Sequence, residues 1–171
     1  MTRKSKRLSA GKPEQLRLED FIIYLDENLH RCQPIMDVLA GCQTSYRRHE
    51  GEGFAPGEND EVWLPYVSER GWVVLTKDKK NRYNDLERSA VLRFKTREFY
   101  FGGGSLNKFD MANALQTALP EMRRITRKHT PPVIGSITRS GSITIVFDEK
   151  GSTHERRQAK SGTAEDPLEL R

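Results

Sequence analysis

The sequence of 171 residues predicts a three-layer α/β/α domain with a mostly parallel central sheet and a C-terminal β-hairpin. Short apolar runs typical of buried strands alternate with longer segments in which apolar residues recur at helical spacing. Strands that alternate with helices pair in parallel through right-handed crossovers. The last two runs instead follow each other closely across a Ser-Gly turn, which predicts a hairpin.

The first two strands are predicted to flank a helix. Residues 21–25 are all apolar and end at an acidic residue, a pattern typical of a buried strand. Apolar residues at helical spacing predict a helix over 33–41, where Pro34 suits a first turn and Gly41 a helix end. A more polar strand is predicted over 43–48.

A loop and a second helix follow. Three glycines and a proline over 51–57 predict the loop. Asn59 resembles an N-cap, Pro65 is expected to kink the helix or mark its first turns, and Gly71 ends it. The remaining predicted elements are strand 72–76, helix 85–94, strand 98–101, a helix from 107 toward 128, and the hairpin of 133–147 with strands 133–137 and 142–147.

The charge is unevenly distributed. The chain carries 29 Lys and Arg against 24 Asp and Glu, a net charge of +5. Residues 1–19 hold six basic and two acidic residues, whereas 149–171 hold five of each. Both ends lack apolar periodicity, so we predict a basic disordered tail over 1–19, one folded domain over 20–148 and a disordered polar tail over 149–171.

Composition excludes two classes of protein. No apolar run approaches the ~20 residues that span a bilayer, and the charged N-terminal segment lacks the apolar centre of a secretory signal. Two cysteines, Cys32 and Cys42, are too few for a disulfide framework or a zinc site. We therefore expect no membrane association and a cytoplasmic location.

Three aspartates are expected at one edge of the predicted sheet. Asp26 follows the first strand, Asp78 lies two residues beyond strand 72–76, and Asp60 opens the helix that leads into that strand. Functional crevices of open α/β sheets lie beyond the carboxyl ends of the strands. Each aspartate alone has an equally good explanation as a cap or turn residue, but capping does not require convergence on one edge.

Three converging carboxylates repel one another unless one is protonated or a cation neutralises them. Mg²⁺ and Mn²⁺ prefer such oxygen ligands. Polar and basic neighbours complete the candidate site, and they are Asn28, Thr76, Lys77, Lys79 and Arg82. A carboxylate pocket with a cationic rim suits metal-dependent phosphodiester chemistry.

Three motifs resemble the PIN-like nucleases, most of all the toxins of VapBC-type toxin–antitoxin pairs. They are Leu25–Leu29, Gly57–Trp63 and Gly71–Asp78. The family places an acid after the first strand, an Asp at the start of a helix, and a Thr-x-Asp after a central strand. The resemblance covers roughly residues 20–101, with an extension to about 128.

The resemblance implies an endoribonuclease that depends on Mg²⁺ or Mn²⁺, with an RNA substrate, a cognate antitoxin and a homodimer. It implies that Asp26, Asp60 and Asp78 bind the metal and that Thr76 supports them. A fourth acid is expected in this family, and we assign Glu87, with Asp85 and Glu61 as alternatives. Many members of the family have another acid directly after this Asp, but here Asp78 is followed by lysines. The sequence therefore departs from the pattern of a full second metal site.

Two other functions stay open on the sequence. In a non-catalytic nucleic-acid or protein-binding module, a basic cluster would bind the partner and the aspartates would only cap helices. That cluster comprises Arg123, Arg124, Arg127 and Lys128, whose position near a helix C-terminus is also favourable for the helix alone. A PIN-like nuclease of RNA processing or DNA repair would keep the chemistry and change the substrate.

Overall fold

The computed structural model describes residues 21–77 and 85–161, with the backbone alone described for 85–88. The elements are β1 (Ile22–Leu25), α1 (Gln33–Gly41), β2 (Ser45–Arg48), α2 (Asp60–Glu69), β3 (Val73–Thr76), α3 (Asp85–Arg93), β4 (Arg97–Phe101), α4 (Lys108–Lys128), β5 (Val133–Ile137), β6 (Ile143–Asp148), β7 (Gly151–Ser152) and α5 (Thr153–Ser161). A short 3₁₀ turn, Glu50–Glu52, lies between β2 and α2.

One seven-stranded sheet has the order β2-β1-β3-β4-β5-β6-β7. The pairs from β2 to β5 are parallel, and β6 and β7 are added antiparallel. The predicted mostly parallel sheet and its C-terminal hairpin are therefore confirmed. α2 connects β2 to β3, and α3 connects β3 to β4, so both are crossover helices between parallel strands. Their amino ends therefore lie at the carboxyl edge of the sheet.

Side-chain alternation along the strands builds two separate cores. One face packs against α1 and α4 and contains Ile23, Leu75 and Phe99. The opposite face packs against α2 and α3 and contains Tyr24 and Val74 with residues such as Trp63, Leu64 and Val91. Apolar side chains on both faces of the same strands explain the continuous apolar runs of the sequence.

The helix starts follow capping rules. Asn59 accepts a hydrogen bond from the Glu61 backbone N–H at the start of α2. Asn107 and Asp110 form a reciprocal capping box at the start of α4. Pro65 lies inside α2 and Pro120 inside α4. Among the described residues, no helix is long and apolar enough to cross a membrane.

The terminal hairpin turns at Gly141, whose φ of +85° favours glycine. Further along, the register between β5 and β6 shifts: Ile134 pairs with Phe147, but the next residue, Gly135, pairs with Ile145. Val146 is therefore the extra residue of a β-bulge. A bulge breaks the alternation of side chains, and Val146 and Phe147 consequently both pack on the α2 and α3 face.

The chain beyond β6 differs from the prediction of disorder over 149–171. Residues 151–152 pair with β6, and α5 follows directly. Arg156 bonds the Asp148 carboxylate at 2.8 Å, and the Thr153 hydroxyl donates to the Ile145 carbonyl, also at 2.8 Å. α5 buries none of its residues, so its sequence carries no apolar periodicity from which the helix could be predicted. Residues 1–19 and 162–171 lie outside the described part.

Candidate active site

A cavity of about 380 Å³ opens on the α2 and α3 face of the sheet. Asp26, Asp60 and Thr76 line it at the carboxyl edge, and Glu98 lines it further along β4. Two of the three aspartates predicted to converge therefore border one cavity, together with the predicted residues Asn28 and Thr76. Apolar residues of α2, α3, β3, β4 and the β5–β6 hairpin form much of the rest of its described wall. Polar residues of β7 and α5 also line it, namely Ser152, His154 and Glu155.

Asp26 is buried, with 8% of its surface exposed, directly after the last residue of β1. Its Oδ1 accepts a hydrogen bond from the Asn28 backbone N–H at 3.0 Å, and its carbonyl accepts from the N–H groups of Leu29 and His30. The chain thus turns sharply as it leaves the sheet. This turn holds the Asp26 carboxylate at the cavity while Asn28 itself is exposed.

Asp60 is the first residue of α2, and its carboxylate is held by a tryptophan. The Trp63 indole N–H donates to Asp60 Oδ1 at 3.1 Å. The Trp63 ring in turn stacks on Tyr24 of β1, with 5.3 Å between ring centroids. The start of α2 is therefore tied through one aromatic contact to the strand that Asp26 follows.

The loop before α2 is fixed by two residues that also line the cavity. Glu27 Oε2 accepts a hydrogen bond from the Gly57 backbone N–H at 2.6 Å. His49 Nε2 lies 3.0 Å from the Ala55 carbonyl, which can only accept, so Nε2 carries the proton. The Tyr24 hydroxyl then donates to His49 Nδ1 at 2.8 Å. These bonds bring the start of α2 to the end of β1.

The pKa of the Tyr24 hydroxyl reflects the burial and the negative charge of this region. Burial, reinforced by the negative charge of Asp26, raises the pKa of the Tyr24 hydroxyl well above its ordinary value. Tyr24 therefore stays protonated and serves as a hydrogen-bond donor to His49. A cation bound at the cavity would offset the negative charge of Asp26.

Glu98 is a cavity residue that is not among the predicted site residues. It lies in β4 with 5% of its surface exposed, and it pairs in register with Val74 of β3 and Ile134 of β5. Alternation places Glu98 and Tyr100 on one strand face and Phe99 on the other, but it does not show which face borders a cavity. The available sequence signal is a charged residue directly before the apolar run of residues 99–101, since charged side chains are rarely buried.

The other predicted site residues are placed as follows. Lys77 is exposed and does not line the cavity. Asp78, Lys79 and Arg82 lie outside the described residues, as do the side chains of Asp85 and Glu87, whose backbones belong to α3. Glu61, an alternative fourth acid, is an exposed partner of Arg93 at 2.7 Å and does not line the cavity.

The carboxylate oxygens of Asp26, Asp60 and Glu98 are the donors that a hard divalent cation prefers. They do not form a complete ligand set by themselves. In the described part of the chain, the ligand atoms that all lie within 4.8 Å of one another belong to His129, Asp148 and Glu149. None of these three residues lines the cavity, and Arg156 already forms an ion pair with Asp148. Asp26, Asp60 and Glu98 do not form such a group.

Comparison with known proteins finds similarity within residues 22–103 of this chain. Residues 22–103, a little under half of the chain, match a family model described as "PIN like domain". A Mycobacterium tuberculosis H37Rv protein named "Putative ribonuclease VapC45" is 35% identical over 79 residues, which cover 45% of this chain and 57% of that protein. The chain thus spans little more than half the length of this relative. No solved structure matches the chain.

The predicted resemblance to PIN-like proteins of the VapC type is confirmed by these matches. All three sequence motifs lie inside the matched residues, and so do Asp26, Asp60, Asp78 and Glu98. The β5–β6 hairpin and α5 lie outside the matched residues, although they supply part of the cavity wall.

Proposed function

We propose that this protein is an endoribonuclease that depends on Mg²⁺ or Mn²⁺ and acts as the toxin of a type II toxin–antitoxin pair. One observation carries the proposal: Asp26 and Asp60, from separate elements, border one cavity at the carboxyl edge of the sheet. The match of the same residues to a PIN-like domain, and the name of the relative, support a nuclease over a domain that only binds nucleic acid.

In this proposal Asp26, Asp60 and Asp78 hold the divalent cation, Asp78 on sequence evidence alone, and Glu87 is the further acid. A cation bound there would polarise the scissile phosphate and activate a water molecule. The described residues support this arrangement by orientation: the Asn28 N–H fixes Asp26, and Trp63 fixes Asp60. Thr76 supports the site from the end of β3.

The partners follow from the same proposal. Lys77, Lys79 and Arg82 would contact the phosphate backbone of the RNA, a charge-based contact that carries no sequence information. An active ribonuclease harms its host unless it is restrained, so a cognate antitoxin is part of the proposal. A cytoplasmic location and a homodimer belong to it on family grounds.

The test is RNA cleavage by the purified protein with Mg²⁺ or Mn²⁺, with and without EDTA. Asp26→Asn and Asp78→Asn should each reduce cleavage on the order of 100-fold or more. Loss of a direct metal ligand should lower activity at least as much as loss of a residue that only orients a ligand. Asp37→Asn is the matched control, since Asp37 is an exposed aspartate of α1 outside the cavity. Cleavage that persists in EDTA, or full activity of both site variants, would refute the proposal.

A second candidate is the binding module, favoured by a groove on α4. Arg123, Arg124, Arg127 and Lys128 line this groove with Pro120. Intramolecular partners already engage two of these cations, because Arg124 bonds Glu121 and Arg123 donates to Thr44. If this candidate is correct, RNA binding without cleavage should weaken with salt, ignore EDTA, and fall more for Arg127→Glu than for Asp26→Asn.

A further inference from the structure

The cavity has two chemically different parts. Asp26, Asp60 and Thr76 form a polar mouth at the carboxyl edge of the sheet, whereas Val74, Val91, Ile134 and Val146 line the interior. Polar residues of β7 and α5 also line the cavity, namely Ser152, His154 and Glu155. Glu98 lies at the level of Val74, two residues below Thr76 in the register of the strands. Two strand residues correspond to roughly 7 Å, so the interior extends well below the carboxylates.

The β-bulge of β6 shapes the interior. Regular alternation would direct only one of Val146 and Phe147 toward this face, but the extra residue directs both of them there. Both line the cavity, and Phe147 brings an aromatic side chain to it, as Tyr100 does from β4. Val146 and Phe147 belong to the part of the chain outside the PIN-like match.

We infer that the interior binds one unpaired nucleobase of the RNA substrate, next to the phosphate that is cleaved. This inference rests on the proposed ribonuclease function. A phosphate at the carboxylate mouth has its own nucleotide's base within reach of the interior. A pocket that combines apolar walls with polar groups, and that has a volume of about 380 Å³, has the character of a small-ligand site and the room for a base.

The chemistry of the walls favours a base over other parts of the RNA. Ribose and phosphate are polar and gain nothing from apolar walls, whereas a base has an apolar face that aromatic side chains bind by stacking. Glu98 adds a carboxylate to the otherwise apolar strand residues of the interior. Because paired bases are stacked in a helix, this pocket selects single-stranded RNA or loops.

The first experiment uses the unaltered protein and a series of RNA oligonucleotides around one cleavage site. Each oligonucleotide carries an abasic nucleotide at one position. At one position next to the cleaved bond, loss of the base should lower kcat/KM on the order of 10–100-fold, the range expected for one stacked base. A 2-aminopurine base at that position should change its fluorescence on binding, because it leaves the RNA stack.

The second experiment fills the pocket. Val146→Trp should lower cleavage of intact RNA by a similar factor and add little further loss on the abasic RNA, since both changes remove the same contact. Thr144→Trp is the matched control, because Thr144 is exposed on the same strand and does not line the cavity. Circular dichroism verifies the folding of both variants, and the abasic series does not depend on either.

The outcomes separate the two proposals. Cleavage of every abasic oligonucleotide at nearly the rate of intact RNA would overturn the base pocket and leave the ribonuclease standing. Additive losses from Val146→Trp and the abasic nucleotide would likewise overturn it. Absence of cleavage on any RNA with Mg²⁺ or Mn²⁺ would refute the ribonuclease, and the base pocket with it.

Discussion

The hydrogen bond from Trp63 to Asp60 provides a quantitative test of how the site is positioned. Trp63→Phe removes the indole N–H that lies 3.1 Å from Asp60 Oδ1 and keeps an aromatic ring against Tyr24. A hydrogen bond to a charged group contributes about 1.5–3 kcal/mol. Asp60 is half-buried and regains water when the donor is lost, so we expect a value near the lower end.

The assay is a double-mutant cycle in urea denaturation, performed in EDTA so that no bound cation contributes. The single variants Trp63→Phe and Asp60→Ala and their combination should give a coupling energy of about 1–2 kcal/mol. The total loss for Trp63→Phe is larger, because the smaller ring also leaves space in a buried position. The cycle removes that second contribution from the comparison.

The control pair is Trp72→Phe with Asp60→Ala. Trp72 also stacks on Tyr24, with ring centroids 6.3 Å apart, but the bond to Asp60 comes from Trp63. This pair should be additive within about 0.5 kcal/mol. Coupling that is equally small for Trp63 and Asp60 would refute the reasoning. With the proposed activity, Trp63→Phe should also slow RNA cleavage roughly 10–100-fold, as expected for loss of a supporting contact.

Two further predictions concern stability. Burial lowers the pKa of His30, so the unfolded state binds the proton more readily and stability should fall as pH decreases through and below the ordinary His value of about 6.5. His30→Asn should reduce that fall and the exposed His154→Asn should not, as measured by urea denaturation between pH 5 and pH 8. Gly135→Ala should cost about 1–3 kcal/mol, because its Cβ would lie 2.6 Å from Phe99 Cδ1. Gly41→Ala, with nothing within 4 Å of the added carbon, should leave the denaturation midpoint unchanged or raise it.

The order and type of the elements up to β6 were predictable because each carries a local signal. The buried strand β3 is an apolar run of the length of a strand, and α4 carries an apolar stripe over its 21 residues. The segment after β6 carries no such signal. Its order depends on contacts with β6, among them the bond from Arg156 to Asp148, which no local pattern announces.

The candidate site divides in the same way. Asp26 directly follows β1, and Asp60 begins α2. Both were predictable because the spacing of apolar residues changes at the boundary of an element. Glu98 was missed because a strand presents its residues alternately to two faces, and only the packing of α2 and α3 shows which face borders a cavity. Glu27 and its partner Gly57 are far apart in the sequence, and His49 and Ala55 lie on separate turns. A local sequence pattern therefore does not predict either hydrogen bond.

The amino-acid sequence by itself determined the alternating elements, the parallel sheet and the acids at its carboxyl edge, because hydrophobic periodicity and chain direction are local properties. The tertiary structure decided that these acids open onto an apolar interior. One extra residue in β6 turns Val146 and Phe147 to the same face, and a register shift exists only between two paired strands. The shape of this cavity is for that reason a property of the fold and not of any single segment.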